Sequence, residues 1–444
     1  MLQVLANRTY RHLFAAQVIA LVGTGLMTVA LGLLAYQLAG DRAGAVLGTA
    51  LAIKMVAYVG IAPLISGFTA RLPRRGFLVV MDALRASVAV ALPFVDQVWQ
   101  IYVLIFLLQS ASAAFTPTFQ ATIPDILPDE RDYTRALSLS RLAYDLENLL
   151  SPTLAAALLT VISFHSLFGG TVVGFIVSAL LVLSVRLPQA ATSDRQQTFF
   201  EKATRGLRIY LATPRLRGLL VLNLSVAAAG AMVIVNTVVI VRGMLGGSNG
   251  DMAVALACFG GGSMVSALVL PRVLDRLEDR RVMLPAAGLL ALLLLAFGLA
   301  TASIQSGGLW ISLLVIWFSM GLCYSAVMTP TWRLLRRSAQ AADRPAVFAA
   351  QFALSHGAWL ITYPIAGWFG SLFGMPATAL VLAAVTLLGA WSAARLWPAS
   401  DPDVLAHAHP ELPERHPHFA STAGGRHVHA FVIDDLHRRW PNDT

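Results

Sequence analysis

The chain has 444 residues, of which 57% are hydrophobic and only 12% charged, and its formal net charge is +9. Soluble domains carry about 25% charged residues, so the composition excludes a soluble enzyme and indicates a protein built into lipid. The basic balance alone would also fit a nucleic-acid binder, until its distribution along the chain is considered.

A helix crosses a bilayer core with about 20 mostly apolar residues, because every backbone polar group must be satisfied within the helix. Runs of this kind are predicted over residues 13–38, 45–68, 77–95, 98–119, 136–162, 166–186, 217–241, 252–271, 282–304, 308–330, 346–371 and 376–397. The expected fold class is therefore all-α integral membrane, with twelve transmembrane helices in two pseudo-symmetric six-helix bundles. The first run is too long for a signal-peptide core and has no small-residue cleavage site, so it reads as a retained helix. Cys258 and Cys323 fall in different runs and form neither a CxxC motif nor an extracellular bridge. With both termini in the cytoplasm, the Lys and Arg residues between runs gather on the inner side, and the outer side receives only Arg42 and Arg242. That is the positive-inside pattern of a multi-pass protein of the bacterial inner membrane. The positive charge encodes topology and makes lipid, not nucleic acid, the expected partner.

Two segments repeat. FTPTFQ (115–120) ends the fourth run and MTPTWR (328–333) ends the tenth; LLSPTLAAAL (149–158) and ITYPIAGWFG (361–370) then place Pro152 and Pro364 at nearly the same offset. Duplication of a six-helix unit explains both. The expected organisation is a first bundle over 1–190, a cytoplasmic amphipathic linker over 191–216, a second bundle over 217–398 and a His-rich cytoplasmic tail over 399–444.

These features resemble the major facilitator superfamily over about residues 8–397. The family's inner loop pattern, Gly-x-x-x-Asp-Arg-x-x-x-Arg-Arg, stands in the second half as PRVLDRLEDRR (271–281), with Asp275, Arg276, Arg280 and Arg281 in place and Pro271 where Gly is usual. In the first half GFTARLPRR (67–75) keeps Gly67, Arg74 and Arg75 but has Arg71 where Asp is expected. The resemblance implies an inner-gate role for these residues. Within the family, AFTPTFQATIPDILPDERDYTRALSL (114–139) is similar to the macrolide-efflux and enterobactin-exporter branch. NLLSPTLAAAL (148–158) resembles the Gly-Pro motif that marks exporters, with Pro152 as its hinge. The resemblance implies alternating access between two bundles.

An ionisable side chain at bilayer depth costs roughly 2.5 to 3.5 kcal/mol on insertion scales, so each needs a partner or a wet cavity. The runs contain Lys54, Asp82, Arg85, Asp145, Glu147 and His356. Asp82 and Arg85, three apart, share a helix face and suit a structural pair bracing the inner gate or a proton relay. Asp145 has Arg141 four residues before it as a partner. Glu147, beside Asn148, is the better candidate for reversible protonation; the alternative is a carboxylate at a wet inner mouth. Lys54 and His356 fall mid-run in helices that the resemblance makes neighbours across the two halves, where occupancy of one would bias the other. The remaining polar lining is unspecific, with Gln17, Gln109, Asn223 and Asn236 as members, and suits an amphiphilic organic solute.

The tail holds three His-x-His pairs, His407/His409, His416/His418 and His427/His429, with His437, Asp434 and Asp435 nearby. In an extended segment each pair puts two imidazoles on one side about 7 Å apart, a spacing that suits nickel, cobalt, copper or zinc. Histidine-tailed facilitators linked to nickel and cobalt resistance are similar in this respect. The competing expectation is a tail that docks on the inner face through HAFVIDDLHRRWP (429–441). No nucleophile–base pair and no phosphate-binding loop stands in the sequence, so no enzyme and no cofactor are expected. The expected function is secondary-active, proton-coupled efflux of a small organic solute. Divalent-metal efflux aided by the tail and a non-transporting membrane sensor are the alternatives.

Overall fold

A computed structural model of the chain describes residues 2–61, 73–129, 157–188, 199–303, 306–340, 343–402, 404–408, 426–434 and 436–441, with scattered positions between 132 and 155 that include Tyr133, Ser140, Glu147 and Ser151. Its helices are α1 (Arg8–Ala39), α2 (Ala43–Val56), α3 (Arg74–Ala91), α4 (Val98–Ile126), α5 (Phe164–Leu183), α6 (Phe199–Ala212), α7 (Pro214–Val238), α8 (Asn249–Leu274), α9 (Asp279–Ser303), α10 (Ser306–Met328), α11 (Thr331–Arg337) and α12 (Arg344–Leu396). The strands β1 (Val404–Ala408) and β2 (Arg426–Ala430) follow. Among the described residues nine stretches are long and apolar enough to cross a membrane. Two of them are double: Arg8–Gly60 folds back at Gly40 (φ 52°) and Ala346–Leu396 at Gly374 (φ 80°), a backbone conformation that glycine adopts without penalty. The run expected over 136–162 is described only at isolated positions.

The packing repeats between the halves. In the first, α1 packs on α5, and α3 on both α4 and α5; in the second, α7 packs on α12, and α9 on both α10 and α12. Large apolar side chains such as Val80, Leu180, Ile311 and Leu388 point outward at more than half exposure, as lipid-facing surface requires. Side chains that would form patches of liability in water are here solvated by acyl chains.

The halves meet at the face away from the chain termini. The first half of α2 crosses α12 backbone on backbone: a Cβ on Gly48 would lie 2.5 Å from the carbonyl oxygen of Tyr363, and one on Gly367 2.3 Å from that of Gly44. Such contact needs glycine on both helices. Trp368 Nε1 donates to Thr49 Oγ1 at 3.2 Å beside the seam. Just after α7, the Arg242 guanidinium lies 5.6 Å from the ring of Tyr36 near the end of α1.

The linker and the tail both dock on the second half. On α6, Gly206 abuts the backbone of Ala346, Arg205 Nε donates to Asp343 Oδ1 at 2.5 Å, and Tyr210 donates to Gln351, which exchanges amide hydrogen bonds with Asn223. After α12, Asp401 accepts from Arg337 (2.8 Å) and from Trp397 Nε1 (3.0 Å), with Arg215 at 3.4 Å. Phe431 and Ile433 are buried, Phe431 meets His437 and Trp440 edge-on, and Trp440 covers Arg215 at 5.2 Å. Asp434 accepts from Gln340 and from the His437 ring and backbone. Burial works against that carboxylate, but the His437 backbone N–H and charge more than offset it and hold Asp434 below the ordinary carboxylate range. The stretch over 429–441 is thus part of the folded second half. His437, expected among the metal-binding histidines, is buried in this docked end with its ring against Asp434 and Phe431. Of the other tail histidines, His407, His427 and His429 fall on the two strands, whereas His409, His416 and His418 lie outside the described residues.

A branched side chain at position 48 has no room at the seam. In a variant lacking Cys258 and Cys323, a cysteine at the buried Ala45 is expected to react severalfold faster with a membrane-impermeant maleimide when Gly48→Val is added. Equal labelling rates would show that the seam does not close this face.

Candidate substrate and coupling site

About two helical turns from the seam, toward the termini, α2 and α12 separate enough to admit side chains. Here α2 passes into a π-turn over Ala57–Ile61. Such turns are rare and recur where a helix aims side chains at a site. Lys54 sits on the last turn before it and Tyr58 within it; across the interface, α12 presents Phe352 and His356. The His356 and Tyr58 rings stack at 5.5 Å and 25°, Phe352 lies 3.9 Å from His356 and 6.0 Å from Tyr58, and the Lys54 ammonium stands 6.0 Å from the Tyr58 centroid. His356 Nδ1 lies 2.7 Å from the carbonyl oxygen of Phe352, one turn back, which places the donor proton on that nitrogen.

Glu147 completes the group from the first half. A Cβ on Gly25 of α1 would lie 2.1 Å from Ser151 Oγ and 3.6 Å from Glu147 Cγ, so the absence of a side chain at position 25 lets this segment press against α1. Lys54 interacts electrostatically with Glu147 on one side and with His356 on the other. All three side chains are half-buried, neither sealed in the packed core nor turned to lipid. The arrangement offers one cation, one carboxylate, one imidazole and two aromatic faces, drawn from both halves.

The model of the Major Facilitator Superfamily matches residues 13–303 and again residues 219–422. The chain belongs to that superfamily. Macrolide efflux protein A of Streptococcus pyogenes is 23% identical over 208 residues, covering 46% of this chain and 50% of that protein, so the match spans about half the length of that relative. An uncharacterized MFS-type transporter, YvqJ of Bacillus subtilis, is 22% identical over 83% of this chain and 87% of its own. A crystal structure of the nucleoside transporter NupG superposes with a TM-score of 0.70 at 12% identity, covering 88% of this chain and all of that one. The superfamily match and the long apolar helices make the chain a multi-pass membrane protein.

A second charged group of the spans lies within the first half. Asp82 and Arg85 form an ion pair; Ser178 Oγ of α5 donates to Asp82 at 2.7 Å, and the guanidinium lies between the rings of Phe115 and Phe175 at 4.2 and 4.5 Å. One buried pair therefore ties α3 to α4 and α5. Among the inner-loop residues, Arg74 pairs with Asp125 at the end of α4 and Arg75 donates to the carbonyl of Leu183. Arg280 donates to the carbonyls of Trp397 (2.9 Å) and Ala394 (3.1 Å), and Arg281 lies 3.5 Å from Glu278 at the surface. Asp275 caps α8, with Arg276 following it; the carboxylate on which arginines converge is Asp279, approached by Arg333 at 2.6 Å and Arg337 at 3.4 Å. Arg71, Arg141, Asp145, Asn148 and Pro152 lie outside the described residues. Pro364 stays inside α12, next to Tyr363 of the seam.

Three members of the expected polar lining hydrogen-bond within the packing, although Asn236 Oδ1 is left without a partner. Gln17 accepts from Ser140 at 3.0 Å, Asn223 pairs with Gln351, and Asn236 donates to the carbonyl of Ala366. What sequence reading missed is the aromatic part of the site. Tyr58 and Phe352 stand four residues after Lys54 and before His356, on the same helix faces, and that spacing was the available signal.

Removing one member of a buried ion pair leaves an uncompensated charge, which costs about 3–5 kcal/mol, whereas deleting a hydrogen bond to a charged group costs about 1.5–3 kcal/mol. Asp82→Ala is therefore expected to lower the thermal midpoint in detergent more than Ser178→Ala. Similar small shifts for the two variants would mean that the pair is not a brace.

Proposed function

We propose that the protein is a secondary-active exporter of the bacterial inner membrane, both termini in the cytoplasm, which moves a small amphiphilic organic solute outward in exchange for protons. The observation that carries this reading is the meeting of Lys54, Tyr58 and Glu147 from the first half with Phe352 and His356 from the second, just inside a closed seam. A group shared by both halves is what alternating access needs, because rocking the halves changes its composition. The Tyr58 and Phe352 faces and the imidazole suit an organic ring system better than a bare ion. A small set of polar groups set in an apolar wall fixes orientation in such sites. The outward direction is supported by the macrolide-efflux relative and by the exporter-like stretch around Ser151.

Glu147 carries the proton in this reading. Ionised, it balances Lys54; protonated, it releases Lys54 to reorient toward Tyr58 and the solute. His356 sits where either change is felt. Export coupled to proton entry follows if the solute and the proton compete for the arrangement in which Lys54 and Glu147 are apart.

Purified protein in proteoliposomes with an imposed pH gradient is expected to move amphiphilic organic solutes, a macrolide among those tried, and not Ni²⁺ or Co²⁺. Glu147→Gln is expected to abolish gradient-driven flux while keeping solute counterflow without a gradient. His356→Ala is expected to weaken both. Undiminished gradient-driven flux in both variants would overturn the assignment, and movement of metal without organic solute would replace it with metal export.

A further inference from the structure

The transport reading leaves the histidines of the tail without a role. In the ribbon of β1 and β2, the strands pair antiparallel with His407 opposite His427 and Leu405 opposite His429. Directly opposed residues share a face with Cβ atoms about 4.5–5.5 Å apart, and their diagonal neighbours on that face lie about 7–8 Å away. Residues two apart along a strand share the face as well. His407, His427 and His429 therefore occupy three adjacent positions of one face. The partner that the register gives His407 is thus His427 across the ribbon, where spacing along the chain points to His409. The pleat assigns Val404, Ala406, Ala408, Arg426, Val428 and Ala430 to the other face, so Arg426 holds no position in the histidine row.

That row is tied to the body of the protein. Leu405 belongs to it and packs against the main apolar core, whereas Val404 of the opposite face is 53% exposed. Both strands are anchored at the end of the ribbon where Val404 pairs with Ala430. Asp401, shortly before β1, is clamped by Arg337 and Trp397, and β2 runs into the buried Phe431 and Ile433. The fold has already met the entropic cost of bringing the strands together, which an unanchored histidine tail would meet on binding.

We propose that the histidine row of the ribbon, His407 with His427 and His429 at adjacent register positions, is a binding site for a transition-metal dication. Neutral imidazole is a nitrogen donor of intermediate softness, so the chemistry selects nickel, cobalt, copper or zinc over magnesium and calcium. Three such donors leave at least one coordination position for water. The site stands on strand register and is independent of what the spans transport.

The test uses the full chain in detergent, purified through a tag without histidine and titrated with Ni²⁺ alone by calorimetry, with the visible spectrum of Co²⁺ as a second readout. One equivalent is expected to bind. His427→Ala is expected to weaken affinity at least about tenfold, while His416→Ala with His418→Ala leaves it unchanged. Val428→Pro removes a strand N–H and keeps every histidine. It is expected to weaken affinity as much as His427→Ala, with the thermal midpoint of the bundles unmoved. Affinity unchanged in Val428→Pro, or lost equally in the His416/His418 variant, would assign binding to loose chelation by the chain and overturn the ribbon site, as would the absence of binding. None of these readings involves transport, so a failed flux measurement leaves the result intact.

Discussion

The crossing of α2 and α12 at Gly48 and Gly367 sets the geometry of the whole molecule. Hydrocarbon gives two helices no hydrophobic reason to associate, so close van der Waals contact between small residues must supply the attraction. With carbonyls of one helix against the glycine Cα of the other, the separation of the two halves is fixed at one end. Lys54 lies six residues beyond Gly48, and His356 lies seven before Tyr363, so at 1.5 Å per residue both stand roughly 10 Å from the crossing. Two helices diverging from a shared contact reach the spacing of stacked rings at about that depth. The site is a consequence of the seam.

The same contact explains why the charges of the spans fall into two classes. Those remote from the interface are neutralised within one half: Asp82 by Arg85 and Ser178, with Phe115 and Phe175 as walls. Lys54, Glu147 and His356 instead find their counterparts through the gap between helices, and their environment changes whenever the gap does. A brace should be insensitive to rocking and a coupling group sensitive to it.

Much of this was legible in the sequence, because lipid imposes a simple grammar of long apolar runs, rare charges and basic inner loops. Most of the spans and the proximity of Asp82 to Arg85 follow from length, charge and helical spacing alone. The aromatic members of the site did not stand out, since Tyr and Phe are common in any membrane helix and only their register with Lys54 and His356 distinguishes them. The arginine-binding carboxylate at the inner end of the second half is Asp279 at the start of α9, where a helix N-terminus favours a negative charge; the motif spacing alone points to Asp275. The ribbon was least legible. Five-residue strands of Ala, His, Val and Leu carry little β signal, and their pairing depends on anchors at Asp401 and Phe431 that only the tertiary structure supplies.

Those anchors make the two halves unequal on the side of the termini. The linker helix α6 grips the second half through Arg205, Gly206 and Tyr210, and the tail grips it through Asp401, Phe431 and Trp440. Arg215, at the start of α7, lies at the centre of this assembly, between Asp401 and the Trp440 ring. A charge so enclosed is costly unless its partners stay in place. The linker, tail and second bundle are therefore tied into one packed unit, and in the proposed export it is the first bundle that would move against it, with the glycine seam parting to open the face away from the termini.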